Sequence, residues 1–85
     1  MQIEHLDEPI RVRADFKAGD ITPLYFQRGP HRYKVTQVHT HWIDREGVFA
    51  RVHFALDAAS EADSGTYELH FNAKELSWYL DRVMM

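Results

Sequence analysis

The chain has 85 residues, no cysteine, a formal net charge of −3 with neutral histidines, and 13% aromatic residues. This length predicts one domain, residues 1–85, whose small core depends on its aromatic side chains. The lack of cysteine excludes disulfides, thiol catalysis, thiolate zinc sites and iron–sulfur clusters, and without a signal peptide or an apolar run of about 18 residues we expect a cytoplasmic protein with no membrane partner.

The N-terminal third contains one clearly amphipathic strand. Residues 1–9 mix charged and apolar side chains without a period and end at a proline, so we expect a loose N-terminal segment before a β-domain at 10–85. From residue 10 the side chains alternate as in a half-buried strand, with Ile10, Val12, Ala14 and Phe16 inward and Arg11, Arg13 and Asp15 outward. Turn residues at 17–23 lead to a short β-prone segment at 24–28.

The segment 31–54 has the pattern of a β-hairpin. Its apolar phase changes from odd to even positions near Thr36 and Gln37, which predicts a β-bulge or a bend there. Asp44 and Gly47 hold the first and fourth positions of a type I turn with a glycine bulge. That turn pairs Trp42 with Ala50 and predicts a core face formed by Val38, Trp42, Val52, Phe54 and Leu56.

The opposite face of this predicted hairpin is rich in histidine. The pairing places His39 across from His53, with His41 on the same face, and imidazole nitrogens bind zinc, nickel and copper. Three such ligands with an open position could also activate water. His39, His41 and His53 are therefore a candidate metal site, to which His70 or Glu68 could add a ligand. The spacing nevertheless favours three separate solvated side chains, since same-face neighbours on a strand lie about 7 Å apart.

The C-terminal third holds a loop, a strand and an ambiguous segment. Residues 58–65 are small, polar and acidic, which is typical of a surface loop. The next segment, 66–72, alternates again with Tyr67, Leu69 and Phe71 inward. The spacing of apolar residues in 73–85 fits a helix slightly better than a strand, and both interpretations stay open on the residues alone.

Six segments together carry a resemblance to a known family: Phe26-Gln27-Arg28-Gly29, Tyr33-Lys34-Val35, Trp42, Arg51-Val52, Tyr67-Glu68-Leu69 and Trp78-Tyr79-Leu80-Asp81-Arg82-Val83. Across residues 20–83 they resemble a family of small bacterial proteins of unknown function. The resemblance implies an all-β fold, a curled antiparallel sheet or SH3-like barrel of five to six strands, in which the Trp78 segment is a closing strand. Some members are encoded near error-prone DNA polymerases, which implies a role around DNA repair. The histidine-dense strand and the acidic loop of this chain depart from the family pattern.

A basic surface is the second candidate site. Arg28, His31, Arg32 and Lys34 cluster around Tyr33, and basic residues interleaved with aromatic ones can hold phosphates and stack on bases. Tyr33 and Trp42 are better explained as core residues, because large aromatic side chains dominate burial in a small domain. Residues 56–85 carry six acidic and two basic residues, which argues against a uniformly basic nucleic-acid binder.

The sequence contains no motif for a catalytic nucleophile, a zinc protease, a phosphate-binding loop or a dinucleotide site. We therefore expect a non-catalytic accessory binding module without a cofactor. A protein is the expected partner, through an open sheet edge or a groove, with nucleic acid as a further partner. A protein that binds metal through the hairpin histidines is the alternative function.

Overall fold

A computed structural model describes residues 3–84, with the side chains of residues 5–45 and 47–84. They form six strands: β1 (Ile3–Lys17), β2 (Asp20–Arg28), β3 (His31–Glu46), β4 (Phe49–Ala59), β5 (Ser64–Asn72) and β6 (Ser77–Met84). Each strand pairs antiparallel with the next, and β6 pairs with β1, so the sheet closes into a small barrel. The predicted all-β class is confirmed. Within residues 3–84, no helix has the length and apolar content to cross a membrane.

The helical interpretation of residues 73–85 is wrong, because Ser77–Met84 forms the closing strand β6. The buried residues of this strand are Trp78, Leu80 and Val83. The pairing with β5 shifts by one residue between Leu80 and Arg82. The irregularity at this point moves the inward phase from even to odd positions, and the resulting spacing of apolar residues imitates a helical period.

The N-terminal segment is predicted to be loose, but its described residues form the beginning of strand β1. Met1 and Gln2 lie outside the described residues, whereas the backbone from Ile3 to Ile10 pairs with β6 and closes the barrel. The alternation predicted from residue 10 onward is confirmed as far as Asp15. Phe16 is the exception, with 57% of its surface exposed and its ring edge against Phe71.

The core lies inside the barrel and is built mainly from β4, β5 and β6. Its buried residues are Phe26, Tyr33, Phe54, Leu56, Ala58, Tyr67, Leu69, Trp78, Leu80 and Val83. The rings of Phe26 and Tyr33 stack at 4.9 Å, and Tyr67 meets both of them edge-on. The interpretation of Tyr33 as a core residue is confirmed.

The register predicted for the β3–β4 hairpin is wrong. The strands meet at a two-residue turn, Gly47 and Val48, because Glu46 pairs with Phe49, and Gly47 adopts a φ of 64°. Glycine at the first central position is typical of a type II′ turn, which matches strand twist better than the type I turn expected at Asp44. Trp42 therefore pairs with His53 instead of Ala50. The partner of Trp42 thus differs from the predicted one by three positions, which is an odd number. Because side chains alternate between the two faces of a sheet, Trp42 lies on the outer surface rather than in the core.

The bulge predicted near Thr36 is confirmed, and β3 has a second irregularity near His39. Val38, which lies between them, is not buried in the core as predicted, because 37% of its surface is exposed. Pairing between β2 and β3 runs from Tyr25–Lys34 to Arg28–His31. A cavity of about 410 Å³ lies where the two strands separate, with Phe54 in its wall.

Candidate functional site

A row of four rings crosses the outer surface of β3, β4, β5 and β6, and we call it the imidazole row: Trp42, His53, His70 and Tyr79. Because each residue is the direct cross-strand partner of the next, neighbouring rings contact each other, stacked at the two outer pairs and tilted by 37° between the two histidines. The ring centroids are 5.1 Å apart for Trp42 and His53, with an interplanar angle of 3°. The two histidines are 5.2 Å apart, and His70 stacks on Tyr79 at 5.0 Å.

The carboxylate of Asp81 lies against the two central rings of the imidazole row. Both of its oxygens are 2.8 Å from Nδ1 of His70, and one is 3.7 Å from Nδ1 of His53. Asp81 occupies the irregular part of β6, where Leu69 pairs with Leu80 while Glu68 pairs with Arg82. An extra residue in a strand leaves the ladder and changes the direction of its side chain. The bulge therefore places a carboxylate beside the imidazoles.

The ring of His53 is enclosed yet poorly satisfied. Only 14% of its side chain is exposed. Among the described residues, neither of its ring nitrogens has a hydrogen-bond partner. Burial lowers the pKa of His53, and the neighbouring His70 lowers it further, although the carboxylates of Asp81, Asp44 and Glu68 act in the opposite direction. The balance favours the neutral imidazole, which is the form that binds metals.

Acidic side chains surround this pair of histidines. Asp44 lies 4.0 Å from Nε2 of His53 and accepts a 2.7 Å hydrogen bond from Arg51. Glu68 is mostly buried beside Arg82, at 3.9 Å. The groove over the cluster is also lined by His5 and Asp7. Asp7 has a φ of 53° at a further irregularity, where β1 passes β6.

The structure brings one of the three predicted hairpin histidines into this cluster, namely His53. Nε2 of His39 instead contacts a carboxylate oxygen of Asp57 at 2.9 Å. His41 pairs with Phe54 and lines the cavity between β2 and β3. The partner that the cluster does use, His70, was considered only as an additional ligand. Asp81 was missed, because no periodic pattern of residue types marks a bulge.

A second cluster, which we call the basic face, lies on the outer side of β1, β2 and β3. It consists of two adjacent cross-strand rows, the first Arg11, Gln27 and Arg32 and the second Arg13, Tyr25 and Lys34. All four cations are exposed. The guanidinium carbon of Arg32 lies 5.3 Å from the centroid of the Tyr25 ring, within cation–π range. A shallow groove of about 280 Å³ runs between the two rows.

The four residues predicted for a basic surface separate in the structure. Arg32 and Lys34 belong to the basic face. Arg28 is partly buried in an ion pair with Glu8, its Nε donating at 3.1 Å, and His31 pairs with Arg28 at the end of the hairpin. Arg11 and Arg13 were absent from the prediction, although their outward direction is visible in the alternation of β1. The pairing of β1 with β2 is what brings them to this surface.

Comparison of the chain with models of protein families, with curated proteins and with solved structures gives no match.

Proposed function

We propose that the protein is a non-catalytic binding module that holds single-stranded nucleic acid on the basic face. The observation that carries this proposal is the arrangement of Arg11, Arg13, Arg32 and Lys34 around Tyr25 in two adjacent rows. Cations that follow a phosphate backbone, combined with an aromatic ring for base stacking, are the general elements of single-strand binding.

The charge distribution supports an anionic ligand at this surface in particular. The chain as a whole carries a net charge of −3, yet the two rows contain four cations and no acidic residue. Like charges on neighbouring strands repel each other in the free protein. A phosphate backbone along the groove would relieve that repulsion and release condensed counterions.

Tyr25 and Arg32 supply a surface for bases. The Tyr25 ring is only partly buried and already carries the guanidinium of Arg32. Both an aromatic ring and a guanidinium plane stack on nucleobases, and such stacking tolerates any sequence. Gln27, which lies between Arg11 and Arg32, adds amide donors and acceptors at the same level. We therefore expect weak dependence on base sequence.

The resemblance to small bacterial SH3-like proteins supports the same direction. Some members of that family are encoded near error-prone DNA polymerases, which favours an accessory role in DNA repair or replication. As part of the proposal, the protein acts in the bacterial cytoplasm as an adaptor that joins single-stranded DNA to a protein partner.

The test is fluorescence anisotropy with a labelled oligothymidylate at two salt concentrations. Four phosphate contacts at about 0.7 counterions each predict a slope near −3 in a plot of log affinity against log salt. Raising the salt fourfold should therefore weaken binding by about fiftyfold. The double variant Arg13→Gln with Lys34→Gln should reduce the slope by about 1.4.

The matched control is Arg45→Gln with Lys74→Gln, which removes the same charge from exposed positions outside the basic face. This control should keep the slope of the unmodified protein. Absence of saturable binding at low salt would contradict the proposal. Equal losses in the two double variants would show a general charge effect instead of a site, and tighter binding to duplex DNA of the same sequence would exclude a single-strand binder.

A further inference from the structure

We propose that His53, His70 and Asp81 bind a divalent transition-metal ion on the outer surface of β4, β5 and β6. Each residue offers one ligand atom, and these three atoms lie within 4.8 Å of one another. The set consists of two imidazoles and one carboxylate, a combination that binds zinc and related ions when further positions are filled by other ligands or water. This site is independent of the basic face.

The distances require only a small rearrangement. Ligand atoms around tetrahedral zinc lie about 3.3 Å apart, because each bond is about 2.0–2.1 Å long. The Asp81 carboxylate is already 2.8 Å from Nδ1 of His70 and 3.7 Å from Nδ1 of His53. A metal ion would replace the His70–Asp81 hydrogen bond. A limited shift of the His53 side chain would complete the set, because the three ligand atoms already lie within 4.8 Å of one another.

The unsatisfied nitrogens of His53 point to a ligand. A buried imidazole normally hydrogen-bonds at least one ring nitrogen, since an unpaired buried polar atom loses its hydration without compensation. Among the described residues no hydrogen bond reaches either nitrogen of His53, which is held in place by stacking on Trp42 and by a tilted ring contact with His70. A bond from one nitrogen to a metal ion would supply the missing partner, and Asp44 lies 4.0 Å from the other.

The backbone positions the carboxylate at a structural cost. Asp81 occupies the irregularity in β6, and β1 is irregular at the same level, with Asp7 in the left-handed region. Bulges are frequent beside functional sites, where they redirect one side chain. Here the redirected side chain completes the set of ligands.

The charge around the site favours a cation. The carboxylates of Asp81 and Asp44 lie 3.7 Å and 4.0 Å from the two ring nitrogens of His53, and Glu68 lines the same groove. Arg51 contacts Asp44 and Arg82 contacts Glu68. These two carboxylates therefore lie close to the site with their negative charge partly balanced. An oxygen-preferring ion such as Mg²⁺ gains little from two imidazoles. The ligand chemistry therefore selects a zinc-like ion over magnesium.

The test is to titrate the full chain with zinc chloride in phosphate-free buffer and to monitor binding by calorimetry and by the NMR signals of the histidine ring nitrogens. We expect saturable one-to-one binding that shifts the ring signals of His53 and His70 together. His70→Gln and Asp81→Asn should each lower the affinity at least about tenfold. Excess Mg²⁺ should not compete.

Two histidine variants provide the matched controls. His39→Gln and His41→Gln remove one imidazole each from the same hairpin and should leave zinc affinity unchanged. Zinc should raise the melting temperature of the unmodified protein and of both controls, but not that of Asp81→Asn, which separates loss of binding from loss of folding. Zinc affinity in Asp81→Asn equal to that of the unmodified chain would overturn the proposal. So would an equal loss in His39→Gln, or an absence of saturable zinc binding to the unmodified chain.

Discussion

The basic face and the imidazole row both lie on the outside of the barrel, yet they are built in opposite ways. The basic face consists of exposed cations whose direction follows from regular alternation along β1, β2 and β3. In the imidazole row the two central histidines are largely enclosed between outer rings, and the adjacent carboxylate of Asp81 comes from an irregular strand. Exposed charge can be assembled from regular strands alone. The close approach of two imidazoles and a carboxylate instead comes from a direct cross-strand pair and an irregularity in strand pairing.

The largest expected effect comes from the core that the two surfaces share. Leu69 is fully buried inside the barrel, one residue before His70. Replacing it with alanine should lower the free energy of unfolding by about 2–5 kcal/mol, because the barrel cannot fill the resulting cavity. Chemical denaturation measures this loss. Leu76→Ala, at a position with 77% exposure, is the control and should change stability by less than about 0.5 kcal/mol.

If both surfaces depend on one cooperative core, heating the Leu69→Ala variant should weaken ligand binding at both surfaces at the same temperature. Separate transitions at the basic face and at the imidazole row would show that the barrel unfolds in parts.

The second prediction tests whether the two surfaces act separately. Asp81→Asn should lower zinc affinity at least about tenfold and leave the affinity for oligothymidylate unchanged. Arg13→Gln with Lys34→Gln should have the reverse pattern. Calorimetry and anisotropy on the same protein samples measure both ligands. A variant that weakens both ligands while it remains folded would show that the surfaces are coupled.

The third prediction concerns the stacking of the Trp42 ring on the ring of His53. The two rings stack at 5.1 Å with an angle of 3°. Trp42→Ala should cost about 1 kcal/mol of stability, since a stacked aromatic pair contributes about 0.5–1.5 kcal/mol beyond area burial. Thermal and chemical unfolding measure this cost, and Trp42→Phe should recover most of it. A stability change confined to the phenylalanine variant would contradict a stacking role.

The smallest expected effect is a pH dependence at Asp57, which lies outside both surfaces. Hydrogen bonds from His39 and then from Thr66 lower the pKa of the Asp57 carboxyl below its ordinary value of 3.8. Because the folded state binds this proton less readily, the carboxylate stabilises the fold fully above the ordinary value. That stabilisation is lost as the pH falls through the lower folded pKa.

Unfolding measured at several acidic pH values should therefore show Asp57→Asn to be less stable than the unmodified protein at about pH 5, with the difference shrinking toward about pH 2. His39→Gln should reduce this pH dependence, since it removes the partner with the larger influence on the pKa. A difference that stays constant over the whole range would exclude Asp57 as its source.

The all-β class rested in part on the family resemblance, because the spacing of apolar residues in 73–85 alone slightly favours a helix. Alternation along the chain determined the inward face of β1 and the bulge near Thr36. These features depend on neighbours along the chain, because a strand turns its side chains to opposite sides with a period of two. The same reasoning identified Tyr67 and Leu69 as core residues, and the structure buries both. The exposed cations Arg11 and Arg13 were also visible as outward residues of one strand.

Only the tertiary structure decided which residues meet across strands. A type II′ turn at Gly47 in place of a type I turn at Asp44 changed the pairing by an odd number and moved Trp42 from the core to the surface. The closing of β6 on β1, together with the irregular pairing at Asp81, then placed a carboxylate beside His53 and His70. Register and bulges depend on the energy of the whole barrel, so a local pattern of residue types cannot fix them.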